Sequence, residues 1–511
     1  MMKRRLNIFN TIKVKIKLTF MNHRWITLDT YKTRKKTITM DNIHQGLRNV
    51  GLPIESPIIQ RAQELEEEVR RGAEKHFKKV LKANLGDCQA MGQKPITFLR
   101  QVIILVTYPE LMKDPRFPKD AKERARIILA SCKGNSIGSY SECAGIDIIR
   151  RHCAEFIERR DGIHADWHKI SLSSGSSEAI RNVLKLIACK VRGKPPGVLM
   201  PIPQFPLYEV FLKDLFIHPV RYFLNESKNW SIDIEELKSA LDESKTSCTP
   251  RAILVINPGN PTGHILTLQN MQQVIKFAFQ NKLLILADEV YQENIHIPVS
   301  TFHSFKKVLI EMGPPHSEVE LASFMSVSHG YAGEAGLRGA YVELVNINPD
   351  VYSTYLKSLC MNLCPNVLGQ VALDCVVYPP REDEPSFKEF SKEKSEIMDS
   401  CKRRARMFMD TIEGLEGISC NPIEGAYYVF PKLTLSSKAI QAAEHDGKVP
   451  DLFYAYQLLE NAGVCVVPGS CFGQQKGTWH FRATILLPEC EYVDMLKRLK
   501  EFHSKFMEKY K

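Results

Sequence analysis

From residue 170 onward the chain alternates short apolar runs with helical stretches, and this alternation narrows its folds more than any other feature. ISLSSGSSEAIRNVLKLIACKV reads as a strand, a small-residue turn and a helix. GVLMPIPQF, AILVINPGNPTG, LLILADEVYQ and ASFMSVSHG are apolar runs ending in Gly, Pro or polar clusters, with helical patterns such as TLQNMQQVIKFAFQNK between them. Continuous apolar strands separated by helices specify an α/β fold: a mostly parallel central sheet flanked by helices. Functional loops then gather at the carboxyl ends of the strands. Beyond residue 385 the texture turns helical, with KEFSKEKSEIMDSCKRRARMFMDTI as a long amphipathic helix and short strands near GAYYVFP and VCVVPGS. A second helix is predicted from Ser56 to Val80, and another over 120–133. The expected organisation is a basic extension (1–35), a large domain (136–384), and a smaller α+β domain built from both chain ends (36–135 and 385–511).

The formal charge of +11 suggests a polyanionic partner until it is located. Residues 1–40 hold 11 Lys/Arg and a single acid, so the rest of the chain is close to neutral. That argues against nucleic acid or a membrane surface as a partner of the folded body. No apolar run approaches the ~18 residues of a membrane span. The fourteen cysteines contain no C-x-x-C pair and no histidine-rich partner segment, which points to reduced thiols rather than disulfides or a metal. The basic leader fits a disordered tail or a transit peptide, so a cytoplasmic or a mitochondrial matrix location is expected.

Each strand-end loop offers a group suited to a phosphorylated pyridine ring. Gly175, Ser176 and Ser177 stand where a strand turns into a helix, and a helix N-terminus favours an anion. Asp288 ends a buried apolar run and needs a cation or donor, such as a protonated ring nitrogen. Tyr291 follows at the same mouth, and Asn260 in NPGNPTG can reach the same ring oxygen. Phe205 in PIPQFPLY offers a stacking face, Arg338 in GLRGA a fork for phosphate, and Arg482 in WHFRATIL a partner for a substrate carboxylate.

Taken together, LGDCQAMGQKPITFLRQV, GNSIGSYSE, PIPQFPLY, INPGNPTG, LADEVYQ, FHSFKKVL, CVVPGSCFGQ and HFRATIL resemble the alanine aminotransferase family, class I pyridoxal-phosphate enzymes of the aspartate-aminotransferase fold type. The resemblance runs from about Lys36 to Lys511. It implies that Gly175, Ser176, Ser177, Ser326 and Arg338 hold the cofactor phosphate, that Asp288 pairs with the ring nitrogen, and that Asn260 and Tyr291 contact the ring oxygen. Phe205 stands where the alanine enzymes usually carry tyrosine. Tyr140 in GSYSE would reach the phosphate of a neighbouring subunit, which implies a homodimer with shared sites. Arg482 would bind the substrate α-carboxylate, the substrates being small amino acids and 2-oxo acids.

The resemblance breaks in SVSHGYAGEAGLRGA, where His329 occupies the position of the Schiff-base lysine. Imidazole forms no stable imine, so any bound pyridoxal phosphate is non-covalent. No lysine stands between Lys307 and Lys357 to replace it. Proton transfer remains open to histidine, whose ordinary pKa lies near 6.5. Glu55 and Ser56 overlay a family segment that usually reads Arg-Gly, and Leu337 replaces a usual tyrosine. Three readings follow: an alanine:2-oxoglutarate aminotransferase by descent, slowed or inactive; a non-catalytic pseudoenzyme or dimer partner of an active relative; or a pyridoxamine-phosphate-dependent enzyme using His329 as a base.

Overall fold

The computed structural model describes residues 36–48, 57–298 and 300–511. Two compact units are separated, Met1–Arg48 and Asn49–Lys511. In the first, the described residues end in a single helical turn, Gln45–Arg48. The basic leader and the Glu55–Ser56 pair lie outside the described residues.

The centre of the second unit is an eight-stranded sheet of β1 (Ile170–Ser173), β2 (Pro196–Ile202), β3 (His218–Asn225), β4 (Ser231–Ile232), β5 (Thr249–Ile256), β6 (Leu284–Asp288), β7 (Leu321–Ser326) and β8 (Ala340–Val345), in the order β1-β8-β7-β6-β5-β2-β3-β4. The pairings β2–β3, β2–β5, β5–β6 and β6–β7 are parallel. Strand β8 is antiparallel to both β1 and β7, and β4 to β3. Six strands therefore point one way, with β8 and β4 against them.

The side-chain period of two sorts each strand between two covered faces. On β5 and β6, Ala252, Leu254, Leu284 and Leu286 pack in one layer with Ile180, Val183 and Leu184 of helix Ser176–Ile187. Ile253, Val255, Ile285 and Ala287 face the opposite layer, with Val274, Ile275 and Ala278 of helix Leu268–Asn281. That helix starts on the Thr267 hydroxyl, which accepts from the Asn270 amide at 3.2 Å, and stops at Lys282 in the left-handed region.

A second, antiparallel sheet comprises β9 (Ile418–Ser419), β10 (Tyr428–Val429), β11 (Lys432–Leu433), β12 (Val467–Pro468) and β13 (Trp479–Thr484). Its core joins Ile58–Cys88 with Cys401–Phe506, so both chain ends build this smaller body. Helices Thr97–Thr107 and Lys119–Ala130 belong elsewhere. Phe98, Leu99, Val102, Ala125 and Ile128 pack with Leu172, Met325 and Tyr341 of the central sheet. Core residues up to Cys88 thus pack in the smaller body, and those from Ile96 onward pack with the central sheet. The long helix Phe387–Ile412 spans the division, with Phe390 in the sheet core and Cys401, Ala405, Phe408 and Ile412 in the smaller one.

The helix predicted over 56–80 is shorter, Pro57–Arg70. Gly72 at φ +87 takes up the left-handed turn, and the Ala73 amide donates to the Glu68 carbonyl at 3.0 Å, closing the helix end. Among the described residues, no helix is long and apolar enough to cross a membrane, and no cluster of His, Cys, Asp and Glu could hold a metal ion.

Candidate active site

The loops leaving β1, β2, β5, β6 and β7, together with the segment entering the antiparallel β8, meet at one edge of the sheet. There a cavity of about 250 Å³ is lined by Ser176, Ser177, Phe205, Asn260, Asp288, Tyr291, His329 and Arg482. Eight residues singled out from sequence thus converge, although they are spread over 300 positions of chain. Gly175 and Arg338 meet at its edge, Ser326 is buried behind it, and Tyr140 stands apart with 66% exposure.

The phosphate side is built around a contact that only glycine permits. Gly175 has φ +93, and a Cβ placed there would lie 2.2 Å from Arg338 Nη2. The guanidinium therefore rests against the start of helix Ser176–Ile187, where free amides already favour an anion. Arg338 itself adopts φ +59, and its Nη1 donates to the Ala335 carbonyl at 3.0 Å. Ser326 Oγ accepts from the Ser328 amide at 3.2 Å. Gly175→Ala is expected to push Arg338 off this seat and weaken pyridoxal phosphate binding at least tenfold, measured by equilibrium dialysis.

On the ring side, Asp288 closes β6 and is 8% exposed. Its Oδ2 accepts a hydrogen bond from the Tyr208 hydroxyl, and its Oδ1 accepts from the Val290 amide at 3.3 Å. Burial raises its pKa to about 6, against the two donors. A cationic ring nitrogen would supply the charge this carboxylate lacks. Tyr208 was not singled out from sequence. The available signal was its place one turn after Phe205, at the start of helix Leu207–Asp214. Tyr208→Phe removes a donor from a buried carboxylate, a loss of about 1–3 kcal/mol. Pyridoxal phosphate affinity is expected to fall about tenfold or more, read in the same dialysis experiment.

Glu289, also unremarked in sequence, is fully buried beside Asp288. It accepts from the Phe305 amide at 2.7 Å and the Ser323 hydroxyl at 2.5 Å, which fixes the end of β6.

The remaining polar groups form a chain toward the smaller body. Asn260 Nδ2 donates to the Tyr291 hydroxyl at 3.4 Å, which is also 3.4 Å from the Tyr428 hydroxyl. Arg482 on β13 donates from Nη1 to Asn260 Oδ1 at 3.2 Å and from Nη2 to the Asn84 carbonyl at 3.1 Å. Its guanidinium carbon lies 4.2 Å from the Tyr428 ring centre and 4.7 Å from that of Phe472. Nε is buried without a partner, and among the described residues no carboxylate forms an ion pair with Arg482. A desolvated cation of this kind, lining a cleft, suits a substrate carboxylate. Gly86 and Asp87, from LGDCQAMGQ, complete this wall; a Cβ at Gly86 would meet the Tyr428 hydroxyl.

His329 lies on the loop leaving β7. The residue is half-buried and lines the cavity, while its Nδ1 is buried with no hydrogen-bond partner. Its ring centre is 4.4 Å from that of Tyr291 and 6.0 Å from that of Tyr427. Desolvation, helped by the charge of Arg338, lowers its pKa to about 4, so the imidazole is neutral at physiological pH. No lysine is among the lining residues.

The donor set fits pyridoxal phosphate: an anion seat at Gly175 and Arg338, a buried carboxylate for a ring nitrogen, hydroxyl and amide donors for a ring oxygen, and an aromatic face at Phe205. Comparison with known proteins agrees with the geometry. The family model "Aminotransferase class I and II" matches residues 109–499. Human alanine aminotransferase 1 is 48% identical over 479 residues, covering 93% of this chain and 97% of that protein. The probable mitochondrial alanine aminotransferase of Dictyostelium discoideum is 41% identical over 490 residues, covering 94% and 91%. Among solved structures, an alanine aminotransferase from Pyrococcus furiosus superposes with TM-score 0.71 at 20% identity, covering 90% of this chain and 99% of that one, which speaks for the fold alone. With the cofactor-side constellation in the expected loops and these relatives aligned over nearly the whole length, the chain belongs to the pyridoxal-phosphate-dependent class I and II aminotransferases, in their alanine aminotransferase branch.

Proposed function

We propose that this alanine-aminotransferase-like protein holds pyridoxal phosphate without a covalent bond and carries out alanine:2-oxoglutarate amino transfer slowly, with His329 as its proton-transfer group. The observation that carries the reading is a cavity combining the phosphate, ring and carboxylate partners with a neutral imidazole and no lining lysine. Gly175, Ser176, Ser177, Ser326 and Arg338 hold the phosphate. Asp288, supported by Tyr208, faces the ring nitrogen, while Asn260 and Tyr291 face the ring oxygen and Phe205 covers the ring. When bound, the cofactor supplies an electron sink for chemistry at an amino acid's α-carbon.

Arg482 orients the substrate by its carboxylate and so presents the α-hydrogen to the cleft. His329 accepts that proton from the α-carbon and would deliver it to the cofactor, the transfer that amino transfer requires. A base with pKa about 4 is poorly matched to pH 7, so it delivers less than the roughly 10²- to 10⁴-fold of a well-poised general base. Slow turnover follows from the chemistry of this residue, with Arg338, Asp288 and Arg482 in place around it.

Tyr140, exposed and away from its own cavity, suits contact with the phosphate of a second subunit, and a homodimer with shared sites is part of the proposal. A cytoplasmic or mitochondrial matrix location is part of the proposal, supported by cysteines scattered in the sequence without a paired pattern.

The test is an absorbance titration with pyridoxal phosphate, paired with dialysis. The protein should bind the cofactor and release it fully on dialysis, with no band of covalent attachment; Arg338→Ala should lose binding. Failure of the wild-type chain to bind at all would sink the proposal, as would a covalent band that survives His329→Gln.

A further inference from the structure

Asp451 is a carboxylate buried far from any need of its own helix. Its exposure is 0%, its Oδ1 has no hydrogen-bond partner, and among the described residues it forms no ion pair. Such burial is costly. It stands in the first turn of helix Pro450–Ala462, where an acid favours the helix dipole, yet that helix has no side-chain cap. Its hydrogen bonds cross to another segment instead: Oδ2 accepts from the Ser470 amide at 2.6 Å and from Gln474 Nε2 at 3.2 Å.

Ser470 belongs to the short turn Gly469–Phe472, which follows β12 and lies directly on β13. A Cβ at Gly469 would stand 2.8 Å from His480 Cβ, two residues before Arg482 on that strand. The turn ends in Phe472, which is 3% exposed and packs with Trp230, Phe430 and Val467. Its ring centre is 4.7 Å from the Arg482 guanidinium carbon, and the Tyr428 ring adds a second contact at 4.2 Å. The Phe472 carbonyl accepts from the Gln204 amide at 3.0 Å, next to Phe205 of the cavity wall. A cation held away from water is stabilised by the negative faces of such rings, and rings that cannot shift also fix its orientation.

We propose that Asp451, which does not line the cavity, is a positioning residue for the substrate carboxylate. Through the Ser470 amide it sets the turn Gly469–Phe472, the turn seats the Phe472 ring on Arg482, and the ring holds the guanidinium where it receives a carboxylate. This role rests on Arg482 acting as the carboxylate partner, as in the proposed function. Loss of the Asp451 acceptor leaves the Ser470 amide unpaired and frees the turn to move. Arg482 keeps its bonds to Asn260 and to the Asn84 carbonyl, so the loss falls on the carboxylate contact rather than on cofactor binding.

The test titrates the full chain, saturated with pyridoxal phosphate, with L-alanine and separately with L-alaninamide, which has the same α-carbon but no carboxylate. The absorbance of the bound cofactor reports each, and free pyridoxal phosphate in buffer corrects for the different basicity of the two amines. The wild type is expected to favour alanine by about tenfold or more. Asp451→Ala and Phe472→Leu should each lose most of that preference, with alaninamide binding kept; the kept binding also shows that the variant is folded. Asp451→Asn retains an acceptor oxygen and Phe472→Tyr retains the ring, so both should keep the preference. Should Asp451→Ala fail to fold, Phe472→Leu decides, because Asp451 acts through this ring. A preference untouched in Phe472→Leu, or in folded Asp451→Ala, overturns the positioning role and leaves that of Arg482 standing. Alanine and alaninamide weakening in step would be general loosening and overturns it likewise. A wild type with no preference removes the role of Arg482, and that of Asp451 with it.

Discussion

His329→Lys is expected to raise the rate of amino transfer from alanine by at least about 10²-fold, within the range attributed to a positioned general base. The same substitution should convert dialysable cofactor into covalently held cofactor. On the proposed reading both changes follow because the groups assigned to the cofactor and substrate are already in place at the cavity or its edge: Arg338 against Gly175, Asp288 with its two donors, and Arg482. The introduced side chain would enter between Tyr291 and Tyr427, where the imidazole now packs. Coupled-assay rates with alanine and 2-oxoglutarate, measured beside the absorbance spectrum, check the two effects together. A variant that gains the covalent band without a gain in rate would place the defect elsewhere in the cleft and refute the role assigned to His329.

The second large effect is a pH dependence assigned to the same ring. In the folded protein the His329 pKa is lowered to about 4 from an ordinary 6.5, so the native state binds fewer protons than the unfolded state between those values. Stability from the neutral ring is therefore fully present above pH 6.5 and is lost as pH falls toward 4. A shift of that size corresponds to about 3 kcal/mol. Other buried groups titrate in this window too: His264 and His296 are lowered to about 4, whereas Asp288 and Glu289 are raised to about 6 and 7. The expectation is thus a difference between proteins. The stability of the wild type relative to His329→Gln, both without cofactor, should fall by about 3 kcal/mol from pH 7 to pH 4 in urea titrations. A difference that stays flat across this range would mean a solvated, ordinary histidine.

The central sheet was legible because buried strands leave continuous apolar runs, and each run ends in the Gly, Pro or polar cluster that carries a functional side chain. That is why Asp288, Asn260 and His329 could be assigned to one mouth before their distances were known. The sheet against which helices 97–107 and 119–130 pack was not legible. Helices 97–107 and 119–130 carry apolar faces like those of any surface helix, and nothing local in them says which sheet they cover. Tyr208 escaped for a related reason, since its hydroxyl reaches Asp288 only through the angle at which helix 207–214 leaves β2. Gly72 in RRGAEKHF is a readable stop signal, whereas the amphipathic periodicity continues past it to Val80. The neutrality of His329 depends on the protein packed around it, which no local pattern encodes.

The helix Phe387–Ile412 has a mechanical consequence. It is a rod of 26 residues rooted at one end in the sheet core through Phe390 and at the other in the smaller core through Cys401 to Ile412. The 3.2 Å hydrogen bond between Arg482 on β13 and Asn260 after β5 ties the same two cores together at the cleft. Helix and hydrogen bond thus brace the cleft from two sides, and the spacing of its walls is set in part by a helix that does not line it.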